Sequence, residues 1–180
     1  MKRLKDYLQR IYRASLSPKK QEELVWGDLK KLHLKAEWRH GVYEQEKYIE
    51  TRFEVFDGQI EKFAYFIYDS SFFCRYQLAE NYPEDLTPDV FLLASHFNNV
   101  LNNGVVVVNT NDKFVEHRMK NNILVPLLQT EEMYNQIMTH YNISRDVQAA
   151  FQRLVEENEA PAIIIADLMR EYDKDSQETD

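Results

Sequence analysis

The sequence predicts an α+β fold. It has a predominantly antiparallel sheet, built from a three-strand meander, a helix and two further strands, with helices packed on it and extra helices at both ends. Three observations carry this. Between Tyr48 and Leu78, three strand-like runs, of which the first and third alternate residue character, are separated by short turn signals, so consecutive strands must return antiparallel. Before and after that stretch, apolar residues recur every three or four positions, the period of a helix face. No internal repeat and no long linker interrupts the 180 residues, which amount to one domain's worth of chain.

Leu4, Tyr7, Leu8, Ile11 and Tyr12 fall on one face of a first helix, with Arg3, Lys5, Arg10 and Arg13 mostly elsewhere. Ser17-Pro18 stops it and starts a second helix through Leu24 and Val25, since Ser caps and Pro is pre-set for a first turn. The end of that helix is open. Leu32, Leu34, Ala36 and Trp38 alternate with His33, Lys35, Glu37 and Arg39 at the two-residue period of a strand.

From Tyr48 the pattern is sharper. Ile49, Thr51, Phe53 and Val55 alternate with Glu50, Arg52 and Glu54 up to Asp57-Gly58, a hairpin dipeptide. Ile60 to Tyr68 is the return strand, Asp69-Ser70-Ser71 the next turn, and Phe72, Cys74, Tyr76 and Leu78 mark a third strand. Thr87-Pro88-Asp89 opens a helix whose stripe is Val90, Leu93, Ala94, Phe97, Val100 and Leu101, and Asn102-Asn103-Gly104 closes it. Val105 to Val108 has no polar position, which predicts a central strand covered on both faces. Lys113 to Met119 is its partner, and Ile123 to Leu128, interrupted by Pro126, leads to a helix that Thr130 opens. Ser144 reads as the cap of another helix and Pro161 as the start of a last one.

This order predicts an N-terminal helical extension packed on the domain (1–47), an α+β core (48–141), C-terminal helices (142–172) and a disordered acidic tail (173–180).

Charge and composition exclude several functions. With 22 Lys+Arg against 30 Asp+Glu, the net charge of -8 argues against general affinity for phosphate backbones. Charge is uneven, however. Seven cations face only Asp6 in the first twenty residues, which reads first as the solvated end of one domain and second as a basic arm for a partner or an anionic surface. The basic start is not followed by an apolar stretch, so neither a signal peptide nor an anchor is expected. No run approaches the ~20 apolar residues of a membrane span, and a cytoplasmic location is expected. The single Cys74 fits a reducing compartment.

Catalytic motifs are missing where they would be legible. Gly27, Gly41, Gly58 and Gly104 are isolated, so no phosphate-cradling loop is present. His33, His40, His96, His117 and His140 lack zinc-site spacing, and the glutamates at 156, 157 and 159 lack calcium-loop spacing. No cofactor, metal or catalytic residue is therefore assigned. Cys74 shares a strand face with Phe72, Tyr76 and Leu78 and reads as a small buried hydrophobe rather than a nucleophile. Aromatic residues are concentrated between Tyr43 and Tyr82. In the strand from Ile60, one face carries Ala64, Phe66 and Tyr68 and the other Phe63, Tyr65 and Ile67, so both require a cover, from within the chain or from a partner.

The run Phe63-Ala64-Tyr65-Phe66-Ile67-Tyr68, the Asp69-Ser70-Ser71 turn into Phe72-Phe73, the helix ending Asn98-Asn99-Val100-Leu101-Asn102 and the strands from Gly104 to Lys120 resemble the bacterial YbjN-like family. That family's fold is similar to that of type III secretion chaperones. The resemblance covers about Tyr48 to Tyr141 and carries over no active-site residue. It implies a non-catalytic, chaperone-like or regulatory module that binds a protein partner or itself.

Phe63, Tyr65, Ile67, Phe73 and Tyr76 are the candidate protein-binding residues, although the sequence does not say which of them are exposed. The alternative is a small-ligand binder or enzyme whose pocket lies between the sheet and the long helix, with His96 or Glu116 as polar groups. A third is nucleic-acid binding through the first helix, with Tyr7 or Tyr12 stacking on bases.

Overall fold

The structure, a computed structural model, describes residues 2–123 and 130–177. The element order is α1 (Lys2–Ala14), α2 (Pro18–Lys35), β1 (His40–Tyr43), β2 (Tyr48–Phe56), β3 (Gln59–Tyr68), β4 (Ser71–Glu80), a short 3-10 turn (Glu84–Leu86), α3 (Thr87–Val100), β5 (Val105–Asn109), β6 (Phe114–Asn122), α4 (Thr130–Val155) and α5 (Pro161–Gln177). The six strands form one sheet in the order β1-β2-β3-β4-β6-β5. This is the expected α+β fold. The predicted passage through Pro126 lies outside the described residues.

The chain divides into two compact units, Met1–Tyr76 with Met119–Asn142 and Gln77–Arg118 with Ile143–Asp180. Helices α1 and α2 belong to the same unit as the meander, and position 142 lies inside α4 rather than between helices.

In the first unit the meander follows its turn chemistry. Gly58 adopts φ 76°, as the hairpin requires, and its N–H donates to the Glu54 carboxylate at 3.0 Å. Asp69 and Ser70 both adopt positive φ, at 45° and 52°, the primed turn that matches strand twist. Glu22 of α2 holds that turn, accepting from the Ser70 N–H at 2.8 Å while its other oxygen meets Lys47 at 3.3 Å. Burial opposes ionisation of Glu22, but the Ser70 amide and Lys47 outweigh it and keep the carboxyl below its usual range.

The turns set the register. Phe63 faces Tyr76, Tyr65 faces Cys74 and Ile67 faces Phe72, so these six side chains share one sheet face and all are buried. Helix α2 covers this face with Val25, Trp26, Leu29 and Leu32. The first half of α4 adds Met133 and Ile137, and Tyr141 donates to the Glu54 carbonyl at 2.6 Å.

His33 decides how α2 ends. The strand-like alternation of Leu32 to Trp38 is overruled, because the helix runs to Lys35, leaving Leu34 exposed and turning Leu32 and His33 inward. The His33 ring donates from Nδ1 to the Leu29 carbonyl at 2.8 Å and accepts at Nε2 from the Thr51 hydroxyl at 2.7 Å. Both polar atoms are thus paired in a fully buried setting. Burial, which outweighs the Leu29 bond, pushes its pKa down to about 4.

In the second unit, α3 packs on β5 through Val90, Leu93, Ala94 and Phe97, and the Phe97 ring stacks with Phe151 of α4. Two predictions are corrected here. Strand β5 is an edge strand, not a central one, and Val105 is 49% exposed. An all-valine run reports β propensity but not position in the sheet. The edge is blunted by Asn98, whose amide accepts from the Val106 N–H at 2.7 Å and donates to the Val106 carbonyl at 3.0 Å.

Ser144 caps no helix either. It sits inside the continuous α4, fully buried, with its hydroxyl 2.8 Å from Nδ1 of His117. The other ring nitrogen of His117 donates to the Asn103 carbonyl at 3.3 Å, and burial holds its pKa down at about 4. Arg153 binds Glu159 and Asp167 at 2.7 Å and fixes the turn into α5, which continues to Gln177, past the predicted end of order at Asp173.

Candidate functional site

The second face of the meander is built quite differently from the first. Register places Tyr43 opposite Tyr48, Tyr48 opposite Phe66 and Phe66 opposite Phe73, so four aromatic side chains form one row across β1, β2, β3 and β4. Ring centroids along the row lie 5.2, 6.4 and 4.9 Å apart, and the Phe66–Phe73 pair is stacked within 5°. On β6, the Lys120 ammonium sits 5.4 Å from the Phe73 centroid and ends the row with a cation–π contact.

The next level across the strands is Gly41, Glu50, Ala64 and Arg75. A furrow of about 470 Å³ opens there, lined by Tyr43, Glu46, Tyr48, Phe66 and Arg75. Beyond it, Arg52 opposes Lys62, and both reach toward Glu50 at 3.7 Å. These are long contacts between exposed groups and add little stability.

The face therefore consists of an aromatic ridge, a furrow and a basic rim. Four cations, Arg52, Lys62, Arg75 and Lys120, stand there with Glu46, Glu50 and Glu54, on a chain whose net charge is -8. Tyr48 remains a neutral phenol, because burial first and the Glu50 carboxylate second push its pKa above the ordinary value. The face is accessible: Tyr68 is 69% exposed, the Lys62 side chain 63%, and Tyr48, Phe66 and Phe73 are partly exposed.

The five candidate residues separate cleanly. Phe63, Tyr65, Ile67 and Tyr76 are at most 3% exposed and belong to the core. Phe73 alone lies on the accessible face. The residues the sequence reading missed are Tyr43, Tyr48, Phe66, Arg75 and Lys120. A signal for them existed in cross-strand pairing, because counting back from the two turns puts Arg52, Glu50, Lys62 and Arg75 on the same face as Phe66 and marks that face as the wet one.

The polar candidates do not assemble a reactive centre. Glu116 is buried and ion-paired with Arg118 of the same strand, and both nitrogens of the neighbouring His117 are engaged. His96 keeps its Nε2 buried without a hydrogen-bond partner among the described residues. Cys74 is fully buried, and burial raises its thiol well above the ordinary value, the opposite of what a nucleophile needs. Among the described residues, no three His, Cys, Asp or Glu side chains converge as a metal site would require, and no helix is long and apolar enough to cross a membrane.

The molecule is thus an α+β protein with an antiparallel sheet that presents an accessible aromatic face. Its fold is YbjN-like. The crystal structure of YbjN from E. coli, described as a candidate transcription regulator, is similar with a TM-score of 0.54 at 10% identity, covering 71% of this chain and 91% of that one. The sequence matches no family model and no curated protein.

Proposed function

We propose that this chain is a non-catalytic interaction module, chaperone-like or regulatory, that works in the bacterial cytoplasm by holding a segment of a partner protein on the accessible face of its sheet. The observation that carries this is the Tyr43–Tyr48–Phe66–Phe73 row, four adjacent aromatic side chains on a face bordered by cations. Aromatic and arginine side chains supply most of the energy at protein interfaces. Rings already packed against one another also lose little freedom on binding.

The Phe73 ring lies between Phe66 and Lys120, which leaves poor access for base stacking and favours a polypeptide over a single-stranded nucleic acid. The description of E. coli YbjN as a candidate transcription regulator is compatible with a role exercised through macromolecular contact.

The test is affinity capture from the cell of origin with the native chain and with a Tyr48→Ser/Phe66→Ser variant, each followed by direct binding of the recovered partner to purified protein. Loss of a stoichiometric partner from the variant, while the variant still unfolds cooperatively and is folded at the assay temperature, supports the reading. Equal retention by both proteins overturns it. Self-association through the same row is read by sedimentation of the same two proteins.

A further inference from the structure

We propose that α1 is an interfacial helix that seats this chain on an anionic lipid bilayer, at a site independent of the sheet face. The evidence is the direction in which the helix faces. An amphipathic helix normally turns its apolar stripe to the core. Here the attachment is polar: Arg13 on α1, itself buried, is ion-paired with Asp28 of α2, and Arg10 reaches Glu132 of α4 at 2.6 Å. Gln21 secures the end of α1 by donating to the carbonyls of Arg13 at 3.0 Å and Leu16 at 2.9 Å.

The apolar stripe is left pointing outward. Leu4, Tyr7, Leu8, Ile11 and Tyr12 are all between 49% and 63% exposed. Five such side chains within three turns form a contiguous patch that a monomeric protein rarely leaves bare.

The charge identifies the occupant. Beyond the paired Arg10 and Arg13, this end of the sequence carries Lys2, Arg3, Lys5, Lys19 and Lys20 against Asp6, Glu22 and Glu23, of which Glu22 is engaged by Lys47, while the chain as a whole is acidic. Leucine and isoleucine beside tyrosine, on a short helix with excess lysine and arginine, is the composition of a helix lying in the plane of an anionic interface. Thirteen residues rise only about 20 Å, so α1 lies on a bilayer and does not cross it.

A second copy fits less well. Two α1 helices laid face to face would bring their basic positions together, and the patch offers only on the order of a few hundred Å², below the ~800 Å² per partner of a stable interface. A polyanionic nucleic acid would use the charges and leave the apolar stripe uncovered.

The experiment is flotation of the full chain with phosphatidylcholine vesicles, with and without phosphatidylserine, alongside a Leu8→Asp/Ile11→Asp variant. The native protein is expected to float with the phosphatidylserine vesicles and not with phosphatidylcholine alone. The variant should lose at least about tenfold in vesicle affinity. Its thermal unfolding should stay unchanged, because both side chains already face solvent. The Tyr48→Ser/Phe66→Ser variant should float like the native chain, so failure here and failure of the proposed partner binding are distinguishable. No flotation of the native chain, equal flotation of the Leu8/Ile11 variant, or a concentration-dependent dimer that this variant dissolves would each overturn the assignment.

Discussion

Phe63 and Phe66 stand three residues apart on β3 and point to opposite sheet faces, so truncating each in turn measures how different those faces are. Phe63 is fully buried, stacked on Tyr76 at 4.2 Å and in edge or tilted contact with Phe53, His140 and Tyr141 between 5.4 and 5.8 Å. Phe63→Ala leaves a closed cavity and should cost about 3–5 kcal/mol. At about 2–4 °C per kcal/mol for a chain of this size, that lowers Tm by roughly 6–20 °C.

Phe66 is only partly buried, and water fills the space its ring vacates. It forfeits part of a transfer term of about 1.5–3 kcal/mol and one stacked pair worth about 0.5–1.5 kcal/mol. The expected cost is about 1–2 kcal/mol, within a Tm loss of roughly 8 °C. Urea unfolding followed by tyrosine and tryptophan fluorescence reads both variants, with unchanged m values as the control for an unaltered denatured state. Equal destabilisation by the two truncations would mean that the second face is also closed, and the aromatic row would then be core rather than platform.

Acid should weaken the fold through its histidines. A pKa of about 4 for His33 and for His117, below the ordinary 6.5, means the unfolded chain binds more protons between those values. Stability is therefore complete above pH 6.5 and falls as pH drops toward 4, by at most roughly 3 kcal/mol for each ring, and His33→Gln should flatten part of that slope in pH-dependent urea titrations. Asn98→Ala removes both bonds to Val106 and exposes the β5 edge. About 1–3 kcal/mol should be lost in thermal unfolding, together with faster amide exchange at Val106. Cys74 should resist a thiol reagent in the native state and react fully in denaturant, whereas rapid native labelling would contradict its burial.

The features that were legible in the sequence are those fixed by local chemistry. Asp57-Gly58 and Asp69-Ser70 place the hairpin turns, and Pro88 in the first turn starts α3, because in each case a few adjacent residues meet a demand on φ. What was not legible depends on partners distant in the chain. Leu32 to Trp38 fits either period, and the choice is made by His33 meeting Thr51, eighteen residues away. Ser144 has the chemistry of a cap, yet its hydroxyl is claimed by His117, so the helix has no reason to stop. The valine run of β5 lies at an edge because Asn98 substitutes for a neighbouring strand. Which of the candidate aromatic residues are exposed was illegible for the same reason. Within β3 both faces are aromatic, and only the charged residues of β2 and β4, brought alongside by register, separate the covered face from the accessible one.

An accessible aromatic sheet face is an aggregation hazard unless something opposes its stacking on a second copy. On this face the opposing element is the set of four cations, Arg52, Lys62, Arg75 and Lys120, which two identical faces would bring together across a symmetric contact. Glu46, Glu50 and Glu54 offset only part of that repulsion. The same charges that discourage self-pairing favour a partner carrying carboxylates beside apolar side chains, so one arrangement supplies both solubility and selectivity. Neutralising the rim with Arg52→Gln/Lys62→Gln should therefore act in two directions: it should promote self-association while slowing capture of an acidic partner. A structural role for these two side chains predicts neither change, since both stand at the surface and hold Glu50 only at 3.7 Å.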